Sequence, residues 1–319
     1  MKCTIIGCGG AGINIARRFM GKNEEGFAEL DAYFVDTSRS NLTKDVPSDR
    51  VYLFEGLDGS GKLRVANYDT IAERSKEVLQ AIKPQGLVVL VHSAGGGSGS
   101  VIGPVIASEL LKKEVMLVVV CVGSSDSRIE AENTIKTLKS YAVMAERHKT
   151  PVNMIYAENS AELKRGAVDK TLETNIVLLS LFFSGENREI DTSDLRNFLN
   201  YTKVTSYPAA LAHLDFFSES ISLGRDQTII SAVTLTDDAT SSSLSYPIEY
   251  QAVGFLPEKV KSVSQLGLPL HMVNVANYFH SVVDRLSQKV ASVDEARQAV
   301  VHKTIVSRDD DATDLGIVL

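Results

Sequence analysis

The sequence has no tryptophan, eight prolines and three cysteines, Cys3, Cys8 and Cys121. A small, odd set of cysteines, each in or beside an apolar run, excludes a disulfide-stapled scaffold and suits a reducing cytoplasm. Positive charge is in deficit: 33 Lys and Arg stand against 40 Asp and Glu, for a net charge of −7. A general nucleic-acid binder needs a basic surface to displace phosphate counterions, so direct nucleic-acid binding is disfavoured. Long apolar runs are missing too. Residues 84–108 carry no Asp, Glu, Lys or Arg, yet Pro104 and the glycines between 95 and 99 break them into a buried strand, a loop and a helix, so no membrane span is expected. The opening MKCTIIGCGGAG runs from a short apolar stretch straight into glycine and shows no export signal.

What is present is the balance of a folded protein: 44% hydrophobic and 23% charged residues over 319 positions, enough for two domains. Strand-like runs at 4–6, 32–35, 51–54, 87–92, 116–122 and 152–156 alternate with helical patterns at 12–20, 69–82, 101–113 and 129–148. That alternation predicts a doubly wound α/β domain with a parallel sheet over residues 1–160. A helical pattern over 161–184 follows, and its charge-free part, NIVLLSLFF, predicts a spine helix buried between two bodies. TIISAVTLT (228–236) and YQAVGFLP (250–257) read as strands of a smaller α+β domain over 205–272. Residues 273–303 resume a helical pattern, with Val275, Tyr278, Phe279, Val282, Val283 and Leu286 on one side, and 304–319 form an acidic tail.

Two glycine loops carry the chemistry. Gly7-Cys8-Gly9-Gly10-Ala11-Gly12 joins the first strand to the first helix, where backbone N–H groups and the positive helix end can hold phosphate. Alone it fits a dinucleotide fingerprint, with Asp36 ending the second strand where a ribose-binding acid would stand, so an NAD(P)-binding Rossmann-type enzyme is the rival reading. The second loop, Ser93-Ala94-Gly95-Gly96-Gly97-Ser98-Gly99-Ser100, exceeds what a tight turn needs, and two such loops at one sheet edge can wrap a triphosphate. Between them, Gly56-Leu57-Asp58-Gly59-Ser60-Gly61-Lys62-Leu63 mimics a P-loop but has Leu where a hydroxyl should ligate Mg²⁺. Gly59, Ser60 and Gly61 serve better as a third phosphate loop, with Lys62 or Arg64 near the terminal phosphate; a flexible surface turn is the bland alternative.

GCGGAGINIARR, SAGGGSGSVIGPVIASELL and IDTSDLRNFL, in this order, resemble the tubulin/FtsZ superfamily of polymerising GTPases, above all its phage-encoded tubulins (PhuZ). The resemblance implies a tubulin/FtsZ-like fold that binds GTP/GDP with Mg²⁺. It implies that Gly9, Gly10 and Ala11, with Gly95, Gly96, Gly97, Ser98 and Gly99, cradle the phosphates. Asn14, Asn159 and Asn175 match guanine-contacting residues, Glu130 the ribose-binding acid, and Glu130 with Asn133 an E-x-x-N pair. Side-chain amides offer both donors and acceptors, the chemistry guanine selection needs.

Asp191 and Asp194, in Glu189-Ile190-Asp191-Thr192-Ser193-Asp194-Leu195-Arg196, match the family's two catalytic acids, placing the spine helix and catalytic loop over 161–204. Carboxylates three apart on a helix start can polarise a water, and they serve equally as an N-terminal cap and first-turn acid. The resemblance further implies a head-to-tail homopolymer in which one subunit's acids complete the next subunit's site, in the host cytoplasm if phage-encoded, positioning phage DNA or capsids. Asp309, Asp310, Asp311 and Asp314, ahead of the apolar Leu315, Ile317, Val318 and Leu319, suggest a tail that grips a neighbouring subunit. A GTP-binding structural protein without hydrolysis is the third reading.

Overall fold

The computed structural model describes residues 1–237, 244, 246–261 and 267–301. Six strands open the chain: β1 (Lys2–Cys8), β2 (Glu29–Asp36), β3 (Val51–Leu53), β4 (Leu87–Ser93), β5 (Leu117–Ser124) and β6 (Val152–Asn159). Helices α1 (Gly9–Ala16), α2 (Tyr68–Ile82), α3 (Gly99–Leu111) and α4 (Arg128–His148) lie between them. All neighbouring pairs are parallel, in the order β3-β2-β1-β4-β5-β6. Alternate residues feed opposite layers: Ile5, Val89 and Val118 join α1 in one apolar core, while Ile6, Leu90 and Val119 join α2, α3 and α4 in the other. This is the doubly wound arrangement expected for the first half.

Helix α5 (Arg165–Phe182) spans the first core, burying Val168, Leu172, Ile176 and Leu179. Its charge-free run is not buried all round, because Val177 is 39% exposed. The stripe at helical spacing faces the sheet and the other side faces water.

The second half extends the same sheet. Strand β7 (Leu211–Phe217) pairs in parallel with β6, Val152 opposite Leu211, so the sheet continues as β6-β7-β10-β8-β9. Here β8 is Thr228–Thr236, β9 is Tyr250–Phe255 and β10 is Leu270–Ala276, which runs antiparallel to both β7 and β8. Short helix α6 (Thr192–Leu199) rests against this half, α7 is Glu258–Lys261, and α8 (Tyr278–Val301) closes the described chain. Sequence patterning missed β7 and β10. Val275, counted with the last helix, is on β10, and only from Tyr278 does the chain turn helical. Arg285 grips Glu158 of β6 at 2.9 and 2.8 Å, and Arg128 of α4 grips Asp294 at 2.6 and 3.1 Å, so two forked arginine–carboxylate pairs fasten α8 to the first half.

Residues 304–319, with Asp309, Asp310, Asp311, Asp314, Leu315, Ile317, Val318 and Leu319, lie outside the described residues. Among the described residues no helix is long and apolar enough to cross a membrane. The three cysteines are free and buried, and burial pushes their thiols up, which leaves them unreactive.

Candidate functional site

In an open parallel sheet a ligand crevice forms where successive connections leave in opposite directions, at the carboxyl ends of the strands. Here that point lies between β1, which leads outward to β2, and β4, which leads to β5. A cavity of about 550 Å³ opens there, lined by Gly10, Ala11, Asp36, Gly96, Ser98 and Asn159 among others. Helices α1 and α3 both start at its wall, so two sets of unpaired N–H groups and two positive helix ends meet at one place.

The glycines are there for contact. Gly9 has φ +68°, and a Cβ on it would lie 2.8 Å from the Gly99 nitrogen, so the loops before α1 and α3 touch backbone to backbone. None of Gly95, Gly96, Gly97 and Gly99 has a positive φ, which removes the tight-turn explanation of the cluster. A Cβ on Gly97 would strike the Ser60 hydroxyl and come within 3.0 Å of the Lys62 nitrogen, so the third loop packs directly on the second. Hydroxyls tie the second loop to its neighbours: Ser98 Oγ lies 2.7 Å from Thr37 Oγ1, just past β2, and 3.3 Å from Ser60 Oγ of the third loop.

Helix α4 braces the loops from below. The Asn133 amide donates to the carbonyls of Lys62 (2.9 Å), Gly95 (3.2 Å) and Gly96 (3.4 Å), and Thr137 Oγ1 donates to Ala94 (3.1 Å). Glu130, one turn earlier, lines the cavity and pairs with Lys62 Nζ at 3.0 Å. Burial would raise its carboxyl, but hydrogen bonds from Lys62 and Ser127 and the charge of Arg165 hold it below the ordinary value. Asp36 shows the opposite balance. It is 1% exposed, and burial raises its carboxyl despite hydrogen bonds from Thr37 N–H (2.7 Å) and the Asn41 amide (2.8 Å).

At the far wall stand Asn159, ending β6, and Arg165 and Asp169 on the first turns of α5. Asn159 Oδ1 is buried without a hydrogen-bond partner. Such an atom costs free energy unless a ligand or water supplies a donor. Burial raises the Asp169 carboxyl, and Arg18, 3.6 Å away, opposes this.

The two candidate acids stand elsewhere. Asp191 caps α6, its Oδ1 accepting from Ser193 N–H (2.6 Å) and Asp194 N–H (3.1 Å), while Asp194 Oδ2 accepts from Asp191 N–H (3.0 Å), a reciprocal capping box. The end of α6 is fixed to the start of β6, where Asn153 donates to the Leu199 carbonyl at 2.8 Å. Asn159 lines the cavity six residues along the same strand, about 20 Å away. Cavity and acids therefore occupy opposite ends of the sheet.

A family model described as Tubulin/FtsZ family, GTPase domain, matches residues 2–147. Over these residues the chain is similar to a tubulin/FtsZ GTPase domain. Over all of its length the chain is also 28% identical to a phage tubulin-like protein of Pseudomonas phage PhiPA3, covering 99% of that protein, and 24% identical to one of Pseudomonas phage phiKZ, covering 98%. Among solved structures it is similar to the phage tubulin PhuZ bound to GDP (TM-score 0.86, 20% identity, all of both chains). It is likewise similar to a protofilament of TubZ from bacteriophage PhiKZ (TM-score 0.84, 24% identity, all of this chain and 99% of that one). At these identities the structural likenesses show the fold.

Of the residues the sequence singled out, the cavity wall includes Gly10, Ala11, Asn14, Asp36, Gly59, Ser60, Gly61, Gly96, Gly97, Ser98, Gly99, Glu130 and Asn159. Gly9 and Gly95 lie behind it as packing points, and Asn133 behind it as a brace. Asn175 is not on the wall, because it stands six residues past Asp169, about 9 Å along α5 and turned about 240° away. Asp169 and Arg165 face the cavity instead, and sequence reasoning missed both. The only signal was a pair four apart at the start of the spine helix. Arg64 is not on the wall either: it donates to the Ser100 carbonyl at 2.9 Å and to Thr137 Oγ1. Asp36 ends β2 as a dinucleotide-binding acid would, but both of its oxygens are engaged and a second glycine loop fills the same edge, which counts against the NAD(P) reading.

Proposed function

We propose that the protein is a phage-type tubulin: a GTPase that polymerises head to tail and hydrolyses GTP where subunits meet. One observation carries the reading. The cavity lies at one end of the sheet and the only paired acids of the matching motif at the other, with α5, about 27 Å long at 18 residues, running between. One molecule cannot close its own site. A translated copy brings Asp191 and Asp194 over the open cavity, and such a heterologous contact propagates into a filament.

The cavity fits a guanine nucleotide. The N–H groups and helix ends around Gly10, Ala11 and residues 96–99 suit the phosphates, and Glu130 suits a ribose hydroxyl. Asn159 Oδ1 wants a donor and the Asp169 carboxylate accepts two, which matches the N–H edge of guanine and not that of adenine, whose ring nitrogens there are acceptors. No group of three or more metal-ligating side chains occurs among the described residues, so Mg²⁺ would sit chiefly on phosphate and water, with Asp58 of the cavity wall as a carboxylate that could hold one of its waters. Mg²⁺ would neutralise developing phosphate charge, while Asp191 and Asp194 orient and polarise the attacking water. In the cytoplasm of an infected bacterium such filaments would position phage DNA or capsids.

Phosphate release per molecule, measured across a dilution series with GTP, tests the reading. It should rise steeply above a threshold at which filaments form. A flat rate, or filaments without any phosphate release, would favour an isolated hydrolase or a non-hydrolysing GTP-binding structural protein respectively.

A further inference from the structure

The tubulin/FtsZ match ends at residue 147, and the half of the sheet beyond β6 lies outside it. This second half holds α6 at both ends. At the helix carboxyl end, Asn274 of β10 donates to the Phe198 carbonyl at 2.9 Å, Ser231 of β8 donates to the same carbonyl at 3.4 Å, and Asn153 takes Leu199. Asn274 and Ser231 are fully buried and joined at 3.1 Å, so this clamp is a fixed point.

At the amino end the contact is of another kind. Tyr250, the first residue of β9, aims its phenol at the acid pair: its O–H donates to Asp194 Oδ1 at 3.2 Å and reaches the Asp194 carbonyl at 3.4 Å. With the Asp191 N–H on Oδ2, both oxygens of Asp194 are directed. Asp191, Asp194 and Asn197 of the same helix end are the polar groups facing the phenol. Burial, reinforced by the two aspartate charges, pushes the phenol up to about 12, so it remains a donor at neutral pH.

We propose that Tyr250 is a positioning residue for hydrolysis, fixing the Asp194 carboxylate in the direction it needs to meet the neighbouring subunit's nucleotide. This rests on the proposed function, since Asp194 acts only across a subunit contact. The capping box anchors only Oδ2 of Asp194, on the Asp191 N–H, and leaves the carboxylate free to turn about that one bond. The phenol removes that freedom before assembly, so the ordering cost is met in folding and not in the transition state.

The test is Tyr250→Phe, which keeps the ring and deletes the hydroxyl. Turnover per polymerised subunit should fall about 5- to 10-fold, the loss expected of one hydrogen bond, with the critical concentration, the KM for GTP and the melting temperature unchanged. In an Asp194→Asn background the same change should cost nothing further, because Tyr250 acts through Asp194. Full turnover in Tyr250→Phe, or an equal fractional loss in both backgrounds, overturns the proposal, as does a loss that tracks a raised critical concentration or a lowered melting temperature. If the unaltered protein forms no filaments and releases no phosphate with GTP, the functional reading itself fails, a result distinct from any of these.

Discussion

Gly9 and Gly99 meet backbone to backbone, and the contact brings the starts of α1 and α3 together at one cavity. A Cβ on Gly9 would sit 2.8 Å from the Gly99 nitrogen in a left-handed backbone at φ +68°. Gly9→Ala therefore faces both strain and collision and should destabilise the fold by about 2 kcal/mol or more while abolishing nucleotide binding. Gly96 is the control. Its Cβ would meet nothing closer than Ser93 Oγ at 3.5 Å, an ordinary contact. Gly96→Ala should keep the wild-type melting temperature and lose affinity alone, which thermal unfolding and nucleotide titration together will show.

Base selection should reside in Asn159 and Asp169. Asn159 Oδ1 has no partner within the protein, so Asn159→Ala removes nothing the fold uses. Its unfolding should be unchanged or slightly improved, with GTP affinity down about 10-fold or more. Asp169→Asn exchanges an acceptor-only group for a mixed one and should narrow the preference of GTP over ATP in competition binding. An unchanged preference would remove Asp169 from the base site.

What could be read from sequence follows from where each signal is stored. The glycine loops were legible because close backbone approach admits one residue type, and β4 and β5 were legible because strands buried on both faces are nearly continuous runs of Val and Leu. Asp169 was hidden, since beside Arg165, Lys170 and Glu173 it looks like part of a solvated helix face, and only the fold sets it opposite Asn159. Asn175 had the expected chemistry at the wrong helical phase. Strand β10 was masked by His271 and Asn274, polar residues buried because they serve Thr234 Oγ1 and the α6 clamp. The capping alternative for Asp191 and Asp194 proved true of the local structure, and it is compatible with the proposed catalysis: the cap keeps both acids at the surface.

That double role dictates how the acids should be altered. Asp191→Ala removes a cap worth about 1 kcal/mol along with the carboxylate, so a lost activity would be ambiguous. Asn caps helices as well as Asp does, and Asp191→Asn keeps the bonds to Ser193 and Asp194 while discarding the charge. The expected result is a wild-type melting temperature, filaments that persist in GTP, and phosphate release reduced about 100-fold or more, as for loss of a positioned base. Light scattering beside phosphate release in one sample separates assembly from chemistry.

Acid should weaken the fold through His92, which stands fully buried behind the second glycine loop. Its ring is neutral: Nε2 lies 2.8 Å from the Tyr141 hydroxyl and Nδ1 3.2 Å from the Ser93 carbonyl, an acceptor facing a donor and a donor facing an acceptor. Burial, with the Arg64 charge nearby, lowers it from 6.5 to about 4. The unfolded chain therefore takes up a proton between about pH 6.5 and pH 4 that the folded chain refuses, so stability is complete above that window and falls through it on acidification. Each such histidine contributes a slope of about 1.4 kcal/mol per pH unit there. His213, stacked on Tyr278 at 3.8 Å and also lowered to about 4, contributes in the same direction. Replacing His92 by Gln should thus reduce, without abolishing, the pH dependence of the unfolding free energy measured by denaturant titration across the window. An unaltered slope would mean that the His92 ring is protonated in the native protein, and that Tyr141 has turned to accept from it.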